Sequence, residues 1–384
     1  MQTVETAGVP IGPSHPPRIM GVLNLSSESP YDPSVFTDPD AAATYVDEQL
    51  IDEGADIVDI GLESANKRFD VLPPEAELDR LDRALDVIDR VDGDAVFSLE
   101  TRYASVAEAG LEGGFDMIND ICGFADAEMP NVCESQGAVA VKMAGPGSLE
   151  RPGAVETVDG IYEALAADPL PPGTIVDPAF GGWSTGKTEA VDRETFRRLR
   201  EFQALDRPIL VSINRKNFLR NVADRSTEGA LPVSLAATSM AVERGAHVIR
   251  THDVAATRDA ALIGAAFRRD RLRDPDFGVY ELEVTNTQEL RRHLARIGAG
   301  EAAAADRSGY AFELRDLDPV DRELLGHASA DYEGRFLRGN DLTGGVLLGT
   351  RRSIEQLGET VRSESPQLEA IFDRLVDHLA AGPT

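Results

Sequence analysis

The residues able to do chemistry in this chain gather where apolar runs break into polar ones. Pro208–Leu219 reads P-I-L-V-S-I-N-R-K-N-F-L, an apolar run over Ile209–Ile213 followed at once by Asn214, Arg215 and Lys216. A buried parallel strand has this form when it delivers polar side chains to a site at its C-terminal end. Lys216 stands out again by composition: of 38 basic residues, only Lys67, Lys142, Lys187 and Lys216 are lysines. A lysine kept where composition disfavours it is read as having a task. The same break recurs at Asn24, Glu63, Glu100, Asn119, Asp120, Lys142, Asp177, Arg250 and His252. Carboxylates and amides of this set can pair with the donor and acceptor edge of a flat heterocycle. Lys216, Arg250 and His252, all late in the chain, suit the oxygens of a phosphate. Singly, each has a plainer reading: Asn24 or Asp120 ordering a turn, Asp177-Pro178 marking one, His252 hydrogen-bonded in a core.

The elements that must position these residues alternate without a break. Strand-like runs occupy Arg18–Leu23, Asp56–Ile60, Ala95–Leu99, Phe115–Ile118, Ala138–Val141, Thr174–Val176, Ile209–Ile213 and Ala246–Ile249. A helical pattern follows each. The first is bracketed by Asp38 as cap, Pro39 at the first helical position and Gly54 as stop. Eight such units over about 250 residues match a (β/α)₈ TIM barrel, whose active face lies at the strand C-termini and often holds phosphate after strands seven and eight. An open doubly wound sheet competes, but no G-x-G-x-x-G follows the first strand. The expected organisation is a Pro-rich leader over 1–17, a barrel over 18–270 and a small α+β domain over 278–384. In that last part Tyr280, Leu282 and Val284 alternate with acids, as do Phe312 and Leu314 with Glu313 and Arg315. Val346–Leu348 reads as a third strand, and Gln288–Ile297, Arg351–Arg362 and Gln367–Leu379 read as helices.

The bulk numbers exclude some partners. Against 67 acidic residues stand 38 basic ones, for a net charge of −29. Nucleic acid and anionic membranes are therefore not expected as partners. An acidic, lysine-poor chain with 42% hydrophobic residues reads as a folded halophilic protein of a salt-filled cytoplasm, where salt screens its self-repulsion. Cys122 and Cys133 form neither a disulfide framework nor a zinc motif. No signal peptide and no membrane-spanning run is read.

Taken together, several stretches resemble dihydropteroate synthase. They are Met20-Gly-Val-Leu-Asn24-Leu, Gly54-Ala-Asp-Ile-Val-Asp-Ile-Gly61, Met117-Ile-Asn119-Asp120, Val176-Asp177-Pro178, Gly186-Lys187-Thr188, Asn214-Arg215-Lys216-Asn217-Phe218 and Ile249-Arg250-Thr251-His252-Asp253-Val254. The resemblance implies a (β/α)₈ barrel that joins 6-hydroxymethyl-7,8-dihydropterin diphosphate to p-aminobenzoate and releases pyrophosphate. It implies that Glu100, Asn119 and Asp177 meet the pterin ring and that Lys216 lies between ring and diphosphate. Arg250 and His252 would bind diphosphate, and Asn24 would help hold Mg²⁺ with the leaving group. The reaction it implies is largely dissociative: pyrophosphate departs, a cation forms on the pterin methylene, and the aryl amine attacks it.

The chain also departs from the family pattern. The loop that normally reads T-P-D-S-F-S-D-G-G is here Ser26-Ser-Glu-Ser-Pro-Tyr-Asp-Pro-Ser34. In the loop that normally reads G-G-E-S-T-R-P-G, threonine and arginine have become Ala65 and Asn66. The third-strand aspartate has become Glu100. A related arylamine therefore stands beside p-aminobenzoate as acceptor, and a homodimer is left open. Two other readings compete: a methyltransferase moving a methyl from a tetrahydropterin to a corrinoid protein, and a non-catalytic pterin-binding or interaction protein. The first has no diphosphate to bind, which leaves Lys216, Arg250 and His252 without a purpose.

Overall fold

The computed structural model describes residues 2–26, 32–64, 71–150, 152–167, 169–267, 273–274, 278–282, 294, 310–329, 335–338 and 344–381. Two compact units divide the chain, Met1–Arg268 and Arg269–Thr384.

The first unit begins with a hairpin, β1 (Val4–Thr6) and β2 (Val9–Ile11), paired antiparallel. Eight parallel strands follow: β3 (Arg18–Asn24), β4 (Ile57–Gly61), β5 (Val96–Thr101), β6 (Met117–Asp120), β7 (Val139–Met143), β8 (Thr174–Asp177), β9 (Leu210–Val211) and β10 (Val248–Thr251). Each of β3 to β8 is hydrogen-bonded to the next, and β10 lies between β9 and β3. A parallel bridge from Val176 to Ile209 links β8 to β9 and closes the ring. The expected (β/α)₈ TIM barrel is present. Its seventh strand is shorter than the run Ile209–Ile213 because the chain turns early. Lys216 N donates to Ile213 O at 3.2 Å, and Arg215 takes a left-handed φ of 54°.

Pairing register sets what the interior contains, since paired residues of a parallel sheet face the same side. Near the strand N-termini the inward residues are apolar: Met20, Ile57, Val96, Met117, Val139, Ile175, Leu210 and Val248 cluster with Val4 and Ile11 of the hairpin. Residues 1–17, expected as a leader, therefore include an element that packs onto the end of the barrel opposite the strand C-termini. At the C-terminal end Asn24 pairs with Gly61, Gly61 with Glu100, and Glu100 with Asn119, so three polar side chains and a glycine form one row across four strands. Outward residues such as Ile19, Leu23, Val58, Ile60, Leu99 and Ile118 join the larger core under the helices.

Helix starts and stops follow local chemistry. Asp38 accepts from Asp40 N ahead of the helix Pro39–Tyr45, and Thr157 accepts from Gly160 N ahead of Val158–Ala166. The helix Met129–Gln136 stops at Gly137, whose φ of 66° costs least without a Cβ.

The second unit is a five-stranded antiparallel sheet of β11 (Arg273–Asp274), β12 (Val279–Glu281), β13 (Tyr310–Leu314), β14 (Arg335–Arg338) and β15 (Gly345–Gly349), in the order β11-β12-β13-β15-β14. Its core joins Val279, Phe312, Leu314, Phe336 and Leu347 to residues of the helices Arg351–Val361 and Pro366–Ala381. The strand expected around Val346–Leu348 is β15, while β11 and β14 had no signal long enough to read. Val284 lies outside the described residues, as does the expected helix Gln288–Ile297 apart from Leu294.

Candidate active site

Arg250, on β10, is the hub of the barrel mouth. Its Nε donates to Asp59 Oδ2 and its Nη2 to Glu100 Oε2, both at 2.7 Å. Burial works against the guanidinium charge, but Asp59 and Glu100 outweigh it and hold the group firmly protonated. Asp59 is fully buried and accepts two further bonds, from Ser98 Oγ at 2.7 Å and Asn119 Nδ2 at 2.9 Å. One carboxylate thus fixes a strand-eight cation and a strand-four amide at once. Burial raises the Glu100 carboxyl above its ordinary value, with Arg250 opposing the rise.

Across the mouth, Asp177 Oδ1 accepts from Ala179 N at 2.7 Å, and burial lifts its pKa to about 6 against the pull of Lys216, Lys187 and Arg250. Burial lowers the Lys216 pKa, Arg250 lowers it further, and Asp177, Asp192 and Glu100 act the other way. His252 is driven down to about 3, first by burial and then by Arg250, so its imidazole is neutral in the ligand-free protein. The Arg250–Glu100 contact, with the mutual charge effects of Asp177, Lys216 and His252, puts all five in one neighbourhood. Asn24 reaches it as well: its Oδ1 and Glu100 Oε1 both approach Gly61, 3.3 Å and 3.8 Å from where a Cβ would stand. Glycine at 61 leaves room for that approach. Asn24 Nδ2 donates to Ser34 Oγ at 2.9 Å, which orients the amide.

Other strand-end residues have structural work. Asp120 accepts from Cys122 N at 2.6 Å and Phe124 N at 3.0 Å and ties its own turn. Lys142 Nζ donates to Ala167 O at 2.5 Å. Glu63 pairs with the buried Arg102 at 2.8 Å, and Arg102 also reaches Leu149 O at 2.6 Å. Arg215 forks onto Asp253, with Nε to Oδ2 at 2.9 Å and Nη2 to Oδ1 at 2.8 Å, binding the loop after β9 to the one after β10. Ala65 and Asn66 lie outside the described residues.

A Mg²⁺ ion takes few protein oxygens when substrate phosphates supply the rest. Among the described residues no group of three or more His, Cys, Asp or Glu could hold a metal. The amide oxygen of Asn24, beside Glu100 at the mouth, fits an ion that arrives with a diphosphate and does not fit a self-sufficient protein site.

This geometry agrees with the comparisons to known proteins. The model of pterin binding enzymes matches residues 20–252. The chain belongs to the pterin-binding enzyme family. A dihydropteroate synthase of Neisseria meningitidis serogroup B is 33% identical over 267 residues, 65% of this chain and 92% of that protein. A Haloferax volcanii protein, named a probable bifunctional folylpolyglutamate synthase/dihydropteroate synthase, is 32% identical over 262 residues. That match takes in 65% of this chain, and the chain spans only 30% of the Haloferax protein's length. In structure, a dihydropteroate synthase of Coxiella burnetii solved in complex with pteroic acid superposes with a TM-score of 0.58 at 30% identity, over 70% of this chain and 99% of that one.

Within this pterin-binding barrel, sequence reading missed Asp59 and Ser98. A signal for both was present. Asp59 stands two residues before Gly61 and Ser98 two before Glu100, so period-two alternation puts them on the inward face. Asp192, on the helix Glu189–Arg197, was also missed, because it lies away from the strand ends.

Proposed function

We propose that the chain is a transferase that condenses 6-hydroxymethyl-7,8-dihydropterin diphosphate with p-aminobenzoate or a related arylamine, releasing pyrophosphate. The observation that carries the reading is the mouth itself: Lys216 and a doubly clamped Arg250 beside the amide and carboxylate groups of Asn119 and Asp177. The pteroic acid bound by the Coxiella enzyme is a pterin joined through a methylene to p-aminobenzoate, the skeleton such a condensation makes.

Asn119 is oriented by its bond to Asp59, which leaves its carbonyl oxygen for the pterin edge. Asp177, with one oxygen on Ala179 N, offers the other to a ring N–H. Arg250 spends Nε and Nη2 on carboxylates, and its Nη1 then serves the diphosphate. Lys216 supplies a second cation between ring and diphosphate, and His252 a neutral imidazole. The methylene carbon–oxygen bond breaks toward the pyrophosphate, whose growing charge these preset donors stabilise. The amine nitrogen then bonds to the methylene carbon and gives its proton to solvent. Mg²⁺, held at Asn24 with the diphosphate, would neutralise charge on the departing oxygens.

The location we assign is the cytoplasm, in high salt. No helix among the described residues is long and apolar enough to cross a membrane. A homodimer is the assembly we assign, supported by Met240, Leu262 and Ile263, which are exposed on the adjacent helices Leu231–Glu243 and Val254–Ala266. Sedimentation equilibrium in molar salt tests the assembly, and a monomer at micromolar concentration overturns it.

The activity is tested by incubating the protein with the pterin diphosphate, p-aminobenzoate and Mg²⁺ in molar KCl. The expected result is dihydropteroate by mass spectrometry with stoichiometric pyrophosphate. A protein that binds the pterin diphosphate but consumes neither substrate, with p-aminobenzoate or its ring-substituted analogues, overturns it.

A further inference from the structure

The chain holds a single tryptophan, and it stands beside Lys216. Lys216 Nζ lies 5.6 Å from the centroid of the Trp183 ring. Trp183 is held in place on several sides. Its Nε1 donates to Ala179 O at 2.9 Å and Phe180 O at 3.2 Å, and its backbone N–H donates to Gly181 O at 3.0 Å. Gly153 lies flat against the indole: a Cβ there would stand 2.6 Å from Cγ of the ring. Gly181 leaves similar room on the lysine side, where a Cβ would be 3.3 Å from Lys216 Nζ.

Among the described residues Lys216 forms no ion pair, although Asp177, Asp192 and Glu100 all act on its charge. Resting on the transferase reading above, we propose that Trp183 is a positioning residue for Lys216, its ring face holding the ammonium at the diphosphate side of the mouth. The chemistry favours a ring over a carboxylate in this place. A carboxylate would occupy N–H donors and compete with an incoming anion, whereas a π face steadies the cation and leaves its donors for phosphate oxygens. The backbone anchors on Ala179 and Phe180 tie the ring to the loop that directly follows Asp177, so ring-recognising and phosphate-recognising groups keep one spacing.

Being the sole tryptophan, Trp183 reports on its neighbour by emission. Emission of the ligand-free protein is followed from about pH 6 to pH 10 for the parent and for Lys216→Met. The groups facing Lys216 are Arg250, Glu100, Asp177, Asp192, His252 and Lys187, whose own burial lowers it to about 8. Lys216 lowers Lys187, so removing it moves that step. Lys187→Met is therefore added to both proteins, and the difference above the acid steps of Asp177 and Asp192, each at about 6, reports Lys216. We expect a transition in that difference below the ordinary lysine range, and identical curves overturn the contact.

Kinetics tests the consequence. Trp183→Leu is expected to raise the KM for the pterin diphosphate about tenfold, the scale of a desolvated cation–π contact, while the arylamine KM stays put. Trp183→Phe, which keeps a ring, is expected to recover most of the loss. Leu and Phe variants behaving alike, or the arylamine KM moving instead, overturn the positioning role. Absence of any turnover in the parent would defeat the transferase reading, and the emission experiment would still decide the contact.

Discussion

Asp59 joins Ser98, Asn119 and Arg250 through one buried carboxylate, so its loss should differ from the loss of any one partner. Asp59→Asn removes the negative charge and leaves Glu100 as the carboxylate paired with Arg250 among the described residues. Breaking a buried pair in this way costs about 3 kcal/mol. Urea unfolding at fixed molar salt should show a loss of that size, and a parent-like midpoint would contradict it. Glu77 makes a different case. Burial raises its pKa to about 8 from 4.5, Glu63 adds to the rise, and the Thr101 hydroxyl at 2.6 Å opposes it. The folded protein thus keeps a proton that the unfolded chain releases, and this group's contribution is whole below about 4.5 and falls as pH climbs to about 8. Glu77→Gln removes that fall. The variant should match the parent near pH 4.5 and exceed it by about 1–3 kcal/mol at pH 8, a penalty typical of a buried group without full compensation. Parallel stability curves for the two proteins would refute the assignment. Glu77 was not legible as a buried acid, because at the start of a helix a glutamate reads as solvated.

Among the elements, strands three to eight of the chain were legible to within a residue or two, because each is a short apolar run ending in polar residues. The hairpin β1–β2 was not. Its strands have three residues each, too few for a periodic signal, and its turn is Ala7-Gly8 with φ of 44° and 76°. Asn-Gly would have announced such a turn, and alanine conceals it. Ile11 is fully buried against the N-terminal ends of the barrel strands. Ile11→Ala should therefore destabilise the first unit by about 2–4 kcal/mol. Activity at low temperature should persist, since the hairpin lies at the end away from the strand C-termini. A variant as stable as the parent would show that the hairpin adds no core. Asn24, Glu100, Asn119, Asp177, Lys216, Arg250 and His252 were legible as strand-end residues of one barrel face, but the same signal also picked Glu63, Asp120 and Lys142, whose side chains are spent on structural contacts. The polar layer beneath them was overlooked, since Asp59 and Ser98 sit inside apolar runs where only the period-two alternation marks them.

For the whole molecule, the net charge of −29 is expected to govern behaviour in dilute buffer. At 0.01 M salt the Debye length is about 30 Å, so the carboxylates repel across the protein, and at 1 M it is about 3 Å. The melting temperature should rise steeply from dilute to molar KCl, and a flat profile would remove the halophilic reading. The account's central claim is that Lys216 and the clamped Arg250 form the diphosphate end of a pterin transferase. Pyrophosphate release from 6-hydroxymethyl-7,8-dihydropterin diphosphate and p-aminobenzoate tests it most directly, measured in molar KCl with Mg²⁺ for the parent, Lys216→Ala and Arg250→Ala. The account predicts turnover by the parent and a fall in kcat/KM of about a hundredfold or more in each folded variant, as expected when a preset donor to a leaving anion is removed. Parent-like release by either variant would contradict it.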